Sequence, residues 1–134
     1  MPLGVYNLCM ATVELTVENF DQTILGNDTI IVDFWAEWCG PCKMFGPVFE
    51  AASEKHPEIV FGKVDTEAQQ QLAAAAGIQS IPTLMVFRER VLVFSQAGAL
   101  PAPALDELIT AIKGLDMSEV HAAVAQQQAE AAES

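Results

Sequence analysis

The chain has 134 residues, about half of them apolar, with 18 acids against 6 bases and a net charge of −12. That length suits one ordinary domain with a tail, long enough to bury a core without disulfide staples. The acidity excludes nucleic-acid binding, which needs Lys and Arg against phosphates, and it disfavours anionic membrane surfaces. No apolar run approaches the roughly 18 residues of a membrane span.

Residues 1–10 begin MPLGVYNLC and have neither the positive n-region nor the apolar h-region of a secretory signal. They are read as an N-terminal extension and the protein as cytoplasmic. Alternation at Val13 and Leu15 predicts a short edge strand over residues 12–15, and Thr16 is placed to cap a helix through Leu25, with Phe20 and Ile24 on its buried stripe. A turn at Gly26-Asn27-Asp28 leads into TIIVDFWA (29–36), apolar on both faces, which predicts a central strand covered on both sides.

Next come a helix carrying Met44, Phe45, Val48, Phe49 and Ala52, ended by Pro57, and a second strand over 59–64. Thr66 is expected to cap a short helix over 67–76 that Gly77 closes. Strands at 83–87 and 91–94 pair, and a helix over 104–112 follows. This alternation gives an α/β fold with a mixed sheet flanked by helices. Residues 115–134 predict an appended helix, capped by Asp116 or Ser118, with a thin stripe at Val120 and Val124 and an end that frays toward Ser134. The division expected is therefore extension 1–10, domain 11–114 and appended helix 115–134, with monomer as the default state.

Cys39-Gly40-Pro41-Cys42 carries the chemistry. Pro is tolerated in a first helical turn and Gly40 permits a tight bend, so Cys39 falls near the N-cap and Cys42 one turn inside. This spacing lets the two sulfurs meet in a Cys39–Cys42 disulfide. Free N–H groups and the dipole at the helix start favour a thiolate at Cys39, the form that attacks disulfides. Cys42 is expected to be less exposed and less acidic, and so to resolve the mixed disulfide. A structural zinc site needs four ligands, commonly as two close pairs. Only Cys9, His56 and His121 remain to complete one, scattered singly, so no metal is assigned.

Asp33 interrupts the most apolar strand, and Lys63 sits on the next one. A buried carboxylate is costly unless paired. Two readings follow: a proton acceptor for Cys42 whose pKa Lys63 moderates, or a simple buried ion pair.

At this point the residues resemble a family. VDFWAEWCGPCK (32–43) is similar to the active-site stretch of thioredoxins, and Lys63-Val64-Asp65, Gly77-Ile78, Ile81-Pro82-Thr83 and Gly98-Ala99 agree with it over residues 11–113. The resemblance implies a thioredoxin fold, Cys39 as nucleophile, Cys42 as resolving thiol, Asp33 as the buried carboxylate with Lys63 its neighbour, and Pro82 as a cis-proline beside the dithiol. It further implies that Trp38, Gly40, Pro41, Ile81, Pro82, Gly98 and Ala99 form the rim that holds client proteins. The activity implied is protein-disulfide reduction without a bound cofactor, recharged from NADPH by thioredoxin reductase. By the residues alone, Trp38 would be counted as core. Cys9 lies outside the family core and is most simply an idle thiol, with an intermolecular disulfide as the sharper reading.

One departure concerns the hairpin tip, Phe87-Arg88-Glu89-Arg90-Val91, where many members carry Gly. A tight primed turn needs φ > 0, which Arg disfavours, so the turn type stays open. Other functions weighed against a reductase are a binding module that never uses the dithiol and an oxidase or isomerase. Gly-Pro between the cysteines counts against the latter.

Overall fold

A computed structural model describes residues 11–133; the expected extension 1–10 with Cys9, and the expected fraying at Ser134, lie outside the described residues. Five strands form one sheet: β1 (Thr12–Glu14), β2 (Thr29–Trp35), β3 (Val60–Asp65), β4 (Thr83–Arg88) and β5 (Val91–Ala97), in the order β1-β3-β2-β4-β5. β1, β3 and β2 run parallel, whereas β4 and β5 are antiparallel to their neighbours. The mixed sheet is thus the one expected, with β1 at its edge.

Helices α1 (Phe20–Gly26), α2 (Gly40–Lys55), α3 (Gln70–Ala75), α4 (Ala102–Lys113) and α5 (Met117–Glu133) complete the fold. The double-sided apolarity of β2 divides the core in two. Ile31, Phe61, Leu84 and Val86 pack on one face against Phe45 and Phe49 of α2 and Leu105 and Ile109 of α4. Ile30, Val32, Phe34, Val64 and Met85 pack on the other against Ile24 of α1, with Leu72 of α3 beside them. Each such fully buried large side chain stabilises the fold by about 1.5–3 kcal/mol. Gly62 admits Leu15 across β3, since a Cβ there would collide with the Leu15 side chain.

Two expected helix starts are corrected. Thr16 does not cap α1: the Asn19 side chain accepts from Thr16 N at 2.7 Å and donates to Glu14 O at 3.1 Å, holding residues 16–19 in a turn, and the helix begins at Phe20. Thr66 does not cap α3 either. Its hydroxyl donates to Trp35 O at 3.0 Å, while Asp65 Oδ1 accepts from Glu67 N and Ala68 N, and the helix waits until Gln70. In both places a polar side chain found a better backbone partner than the helix end offered. Gly77 closes α3 with φ +72°, as expected.

The hairpin tip adopts positive φ at both Glu89 (50°) and Arg90 (69°), so the open question resolves to a primed-type turn made without glycine. Its neighbours hold it: Glu89 N donates to Asp28 O at 2.8 Å, and Glu89 Oε1 lies 2.8 Å from His121 Nε2 of α5. Arg88 Nη1 donates to Ile112 O at 2.8 Å and Leu115 O at 3.1 Å, capping α4 where the chain bends into α5. Asp116 caps α5 through Ser118 N at 3.0 Å, and Met117 is buried. The appended helix is therefore anchored at its first turns, and beyond them its residues, Val124 excepted, are exposed.

Candidate active site

The dithiol sits beyond the carboxyl end of β2, where the chain leaves the sheet and enters α2. Cys39 is the N-cap of α2, with extended backbone, and Pro41 lies in the first turn, so the local expectation holds. The two sulfurs are joined in a Cys39–Cys42 disulfide with Cα atoms 5.2 Å apart. Cys42 N donates to Cys39 Sγ at 3.2 Å. This N–H is one of the donors of the helix start left free by the helix itself, and it is aimed at the Cys39 sulfur, where it favours negative charge.

One expectation about the pair is corrected. Both cysteines are equally buried, at 4% exposure each, so burial does not distinguish them. The asymmetry lies in which sulfur receives the helix N–H. Ala36 packs with the two cysteines, and Trp35 and Ile81 close around them.

The bond between Ile81 and Pro82 is cis, and Cys39 Sγ lies 3.8 Å from Ile81 O. Gly98 N donates to Pro82 O at 2.8 Å, with Gly98 at φ 108°, a value that glycine reaches without strain. That bond brings the Gly98-Ala99 corner to the cis-proline loop, and both residues are exposed. Trp38 is 68% exposed, as the resemblance implies and against its reading as core. Gly40 and Pro41 are exposed beside it. Met44, expected on the apolar stripe of α2, instead faces solvent at 77% exposure.

A groove of about 330 Å³ runs along this rim, walled by Trp38, Thr66, Ile78, Gln79, Ser80 and Ile81 among others. Thr66, Gln79 and Ser80 are not singled out by the sequence as parts of a site. They carry no motif, and only the return of the chain before Pro82 brings them to Trp38.

Asp33 lies on β2 at 1% exposure, and among the described residues neither carboxylate oxygen has a hydrogen-bond partner. Burial raises its pKa and the positive charge of Lys63 opposes that rise in part, leaving it at about 7. Lys63 is the register partner of Asp33 across β2 and β3, so both side chains project from the same face of the sheet. Lys63 forms no direct ion pair among the described residues; its Nζ lies 4.8 Å from the centroid of the Trp35 ring. Among the described residues the ammonium does not bond to Asp33 but is near enough to act on it through space.

The two histidines take no part in this chemistry. His56 ends α2 beside Lys113 and Glu58, while His121 meets Glu89 at the hairpin tip. Among the described residues no three His, Cys, Asp or Glu side chains gather as a metal site, and no helix is long and apolar enough to cross a membrane.

Comparison with known proteins places this geometry. A family model described as thioredoxin matches residues 11–113. A Streptomyces coelicolor protein whose name places it among thioredoxins is 64% identical over 121 residues, 90% of each chain. Thioredoxin C-3 of Corynebacterium nephridii is 43% identical over 94 residues, covering 69% of this chain and 65% of that one. The solved structure of a mutant thioredoxin from Halobacterium salinarum superposes with a TM-score of 0.72 at 32% identity, covering 78% of this chain and 94% of that one.

Proposed function

The chain belongs to the thioredoxin family of thiol–disulfide oxidoreductases, which act on disulfide-containing substrates with reductase partners, and on that premise we propose the following assignment of its residues. Cys39 is the nucleophile, Cys42 the resolving thiol, and Asp33 the proton acceptor, with Lys63 moderating it. The observation that carries the reading is the Cys42 N–H directed at Cys39 Sγ from the start of α2.

In the reduced protein, the Cys39 thiolate attacks one sulfur of a client disulfide. A mixed disulfide forms and one client sulfur leaves as thiolate. Cys42 then passes its proton to the Asp33 carboxylate and attacks Cys39 Sγ. The Cys39–Cys42 bond closes, the second client sulfur leaves, and the client has gained two electrons. A pKa near 7 suits Asp33 to this task, because a base accepts and releases a proton fastest when its pKa matches ambient pH.

Trp38, Gly40, Pro41, Ile81, Pro82, Gly98 and Ala99 form the client-binding rim, and Thr66, Gln79 and Ser80 extend it along the groove. Ile81 offers backbone for pairing with an extended segment. The electron donor is NADPH through a thioredoxin reductase. The protein works as a cytoplasmic monomer, its thioredoxin domain spanning 11–114 with residues 1–10 and 115–134 appended.

The test is reduction of insulin disulfides with NADPH and a thioredoxin reductase, beside Cys39→Ser. We expect the variant to lose activity by about 10³-fold or more, since a hydroxyl cannot start the exchange that a thiolate does. Turnover with dithiothreitol but not with the reductase would move the electron donor elsewhere. Failure with both would favour a binding role.

A further inference from the structure

A row of charges crosses three strands of the sheet. Glu14 of β1 is in register with Lys63 of β3, and Lys63 with Asp33 of β2. Register partners in parallel strands project from the same face. The row therefore runs from an exposed carboxylate at the sheet edge, through a half-buried ammonium, to a buried carboxylate. Helix α2 adds a fourth charge. Glu50, half-buried, lines an open cavity of about 260 Å³ together with Glu14, Trp35 and Lys63.

The other groups near this row are accounted for. Asp65, next on the same side of β3, is turned to the backbone N–H groups of Glu67 and Ala68. Leu84, the β4 partner of Asp33, is apolar, and Cys42 of α2 is held in the disulfide. Lys63 is thus the one cation of the row among three carboxylates, and two of those three line the open cavity.

We propose that Glu14 and Glu50 are positioning residues for the exchange reaction, drawing the Lys63 ammonium by through-space attraction toward the open cavity, over the Trp35 ring, and so keeping it from closing onto Asp33. The inference rests on the reading of Asp33 as proton acceptor. A buried carboxylate locked in a direct ion pair would stay ionised through the neutral range and could not hold the Cys42 proton. An ammonium drawn toward outer carboxylates across the cavity, without a direct ion pair among the described residues, acts on Asp33 only through space. Two physical effects point the same way when an outer charge is removed. Lys63 is released toward Asp33, and a negative charge that disfavoured Asp33 ionisation disappears. Both ease ionisation of Asp33.

The experiment follows the Asp33 carboxyl directly, by ¹³C NMR titration of the oxidised full chain, in wild type, Glu14→Gln, Glu50→Gln and the double variant. The Asp33 midpoint should fall by on the order of half a pH unit in each single variant and further in the double, and the acidic limb of the insulin-reduction profile should move with it. In a Lys63→Met background the same substitutions should move the midpoint much less. An unchanged or raised midpoint in the double variant, or shifts of equal size in the Lys63→Met background, overturns the proposal. Asp33→Asn keeps the two readings apart: if it leaves exchange rates unaltered, Asp33 is not the proton acceptor, whereas the carboxyl titration still decides whether Glu14 and Glu50 control its charge.

Discussion

The two ends of the sheet are built on opposite terms. At the hairpin-tip end the charges find partners. Arg88 caps α4 and lies 3.6 Å from Asp28, Lys113 pairs with Glu58, and Glu89 meets His121. Toward the dithiol end Asp33 is buried with both oxygens unpartnered among the described residues, Trp38 faces solvent and a helix N–H is directed at a sulfur. Where the charged side chains at one end are paired, the Asp33 carboxylate at the other has no hydrogen-bond partner among the described residues. On the proposed mechanism, the difference marks where a proton and an electron pair move, because a fully bonded group has no free capacity to accept one.

Removing the unsatisfied charge tests this contrast most severely. Asp33 has a pKa raised from 3.8 to about 7 by burial, so between those values the folded protein holds a proton that the unfolded chain has lost. Stability contributed by this group is full below about pH 4 and falls as pH rises toward 7. Asp33→Asn should abolish that slope and stabilise the protein by about 2–4 kcal/mol above pH 8, while slowing exchange. Urea unfolding at about pH 4.5 and about pH 8 reads the first effect and insulin reduction the second. Equal pH dependence in variant and wild type would show that Asp33 is not the strained group.

The hairpin-tip end should respond in the opposite sense. Arg88→Met leaves the carbonyls of Ile112 and Leu115 without their donor. We expect a loss of about 2–3 kcal/mol, read by denaturant unfolding, with the exchange rate per folded molecule unchanged. A matching fall in exchange rate would mean that the two ends are coupled. The smallest effect expected is at the turn itself. Arg90 is exposed at φ 69°, and Arg90→Gly relieves that conformation. It should raise stability by up to about 1 kcal/mol, visible as a raised thermal midpoint. A lowered midpoint would show that the Arg90 side chain contributes more than its backbone costs.

Much of the site was legible because it is local. Cys39, Gly40, Pro41 and Cys42 specify a helix start and a sulfur spacing by covalent geometry and dipole alone, and Asp33 announces itself as a carboxylate within an apolar run. The β2 strand and α2 are long and strongly patterned, and they fall where the pattern placed them to within a residue or two. The short helices α1 and α3 did not. Their starts depend on where the Asn19 and Thr66 side chains bond, Asn19 to the backbone of Thr16 and Glu14 and Thr66 to that of Trp35, and Trp35 comes near Thr66 only once the sheet has formed.

Periodicity, and groups a few bonds apart, were enough to specify the fold class, the dithiol and the placing of its two cysteines in the helix start. They could not say that Trp38 lies outside the core, that Lys63 stands over Trp35 rather than bonding Asp33, or that Glu14 and Glu50 share a cavity with it. Those outcomes depend on strand register and helix docking between residues remote in the chain, as when Glu14 comes beside Lys63. Such distances are set by the packing of the whole chain, and no local pattern encodes them.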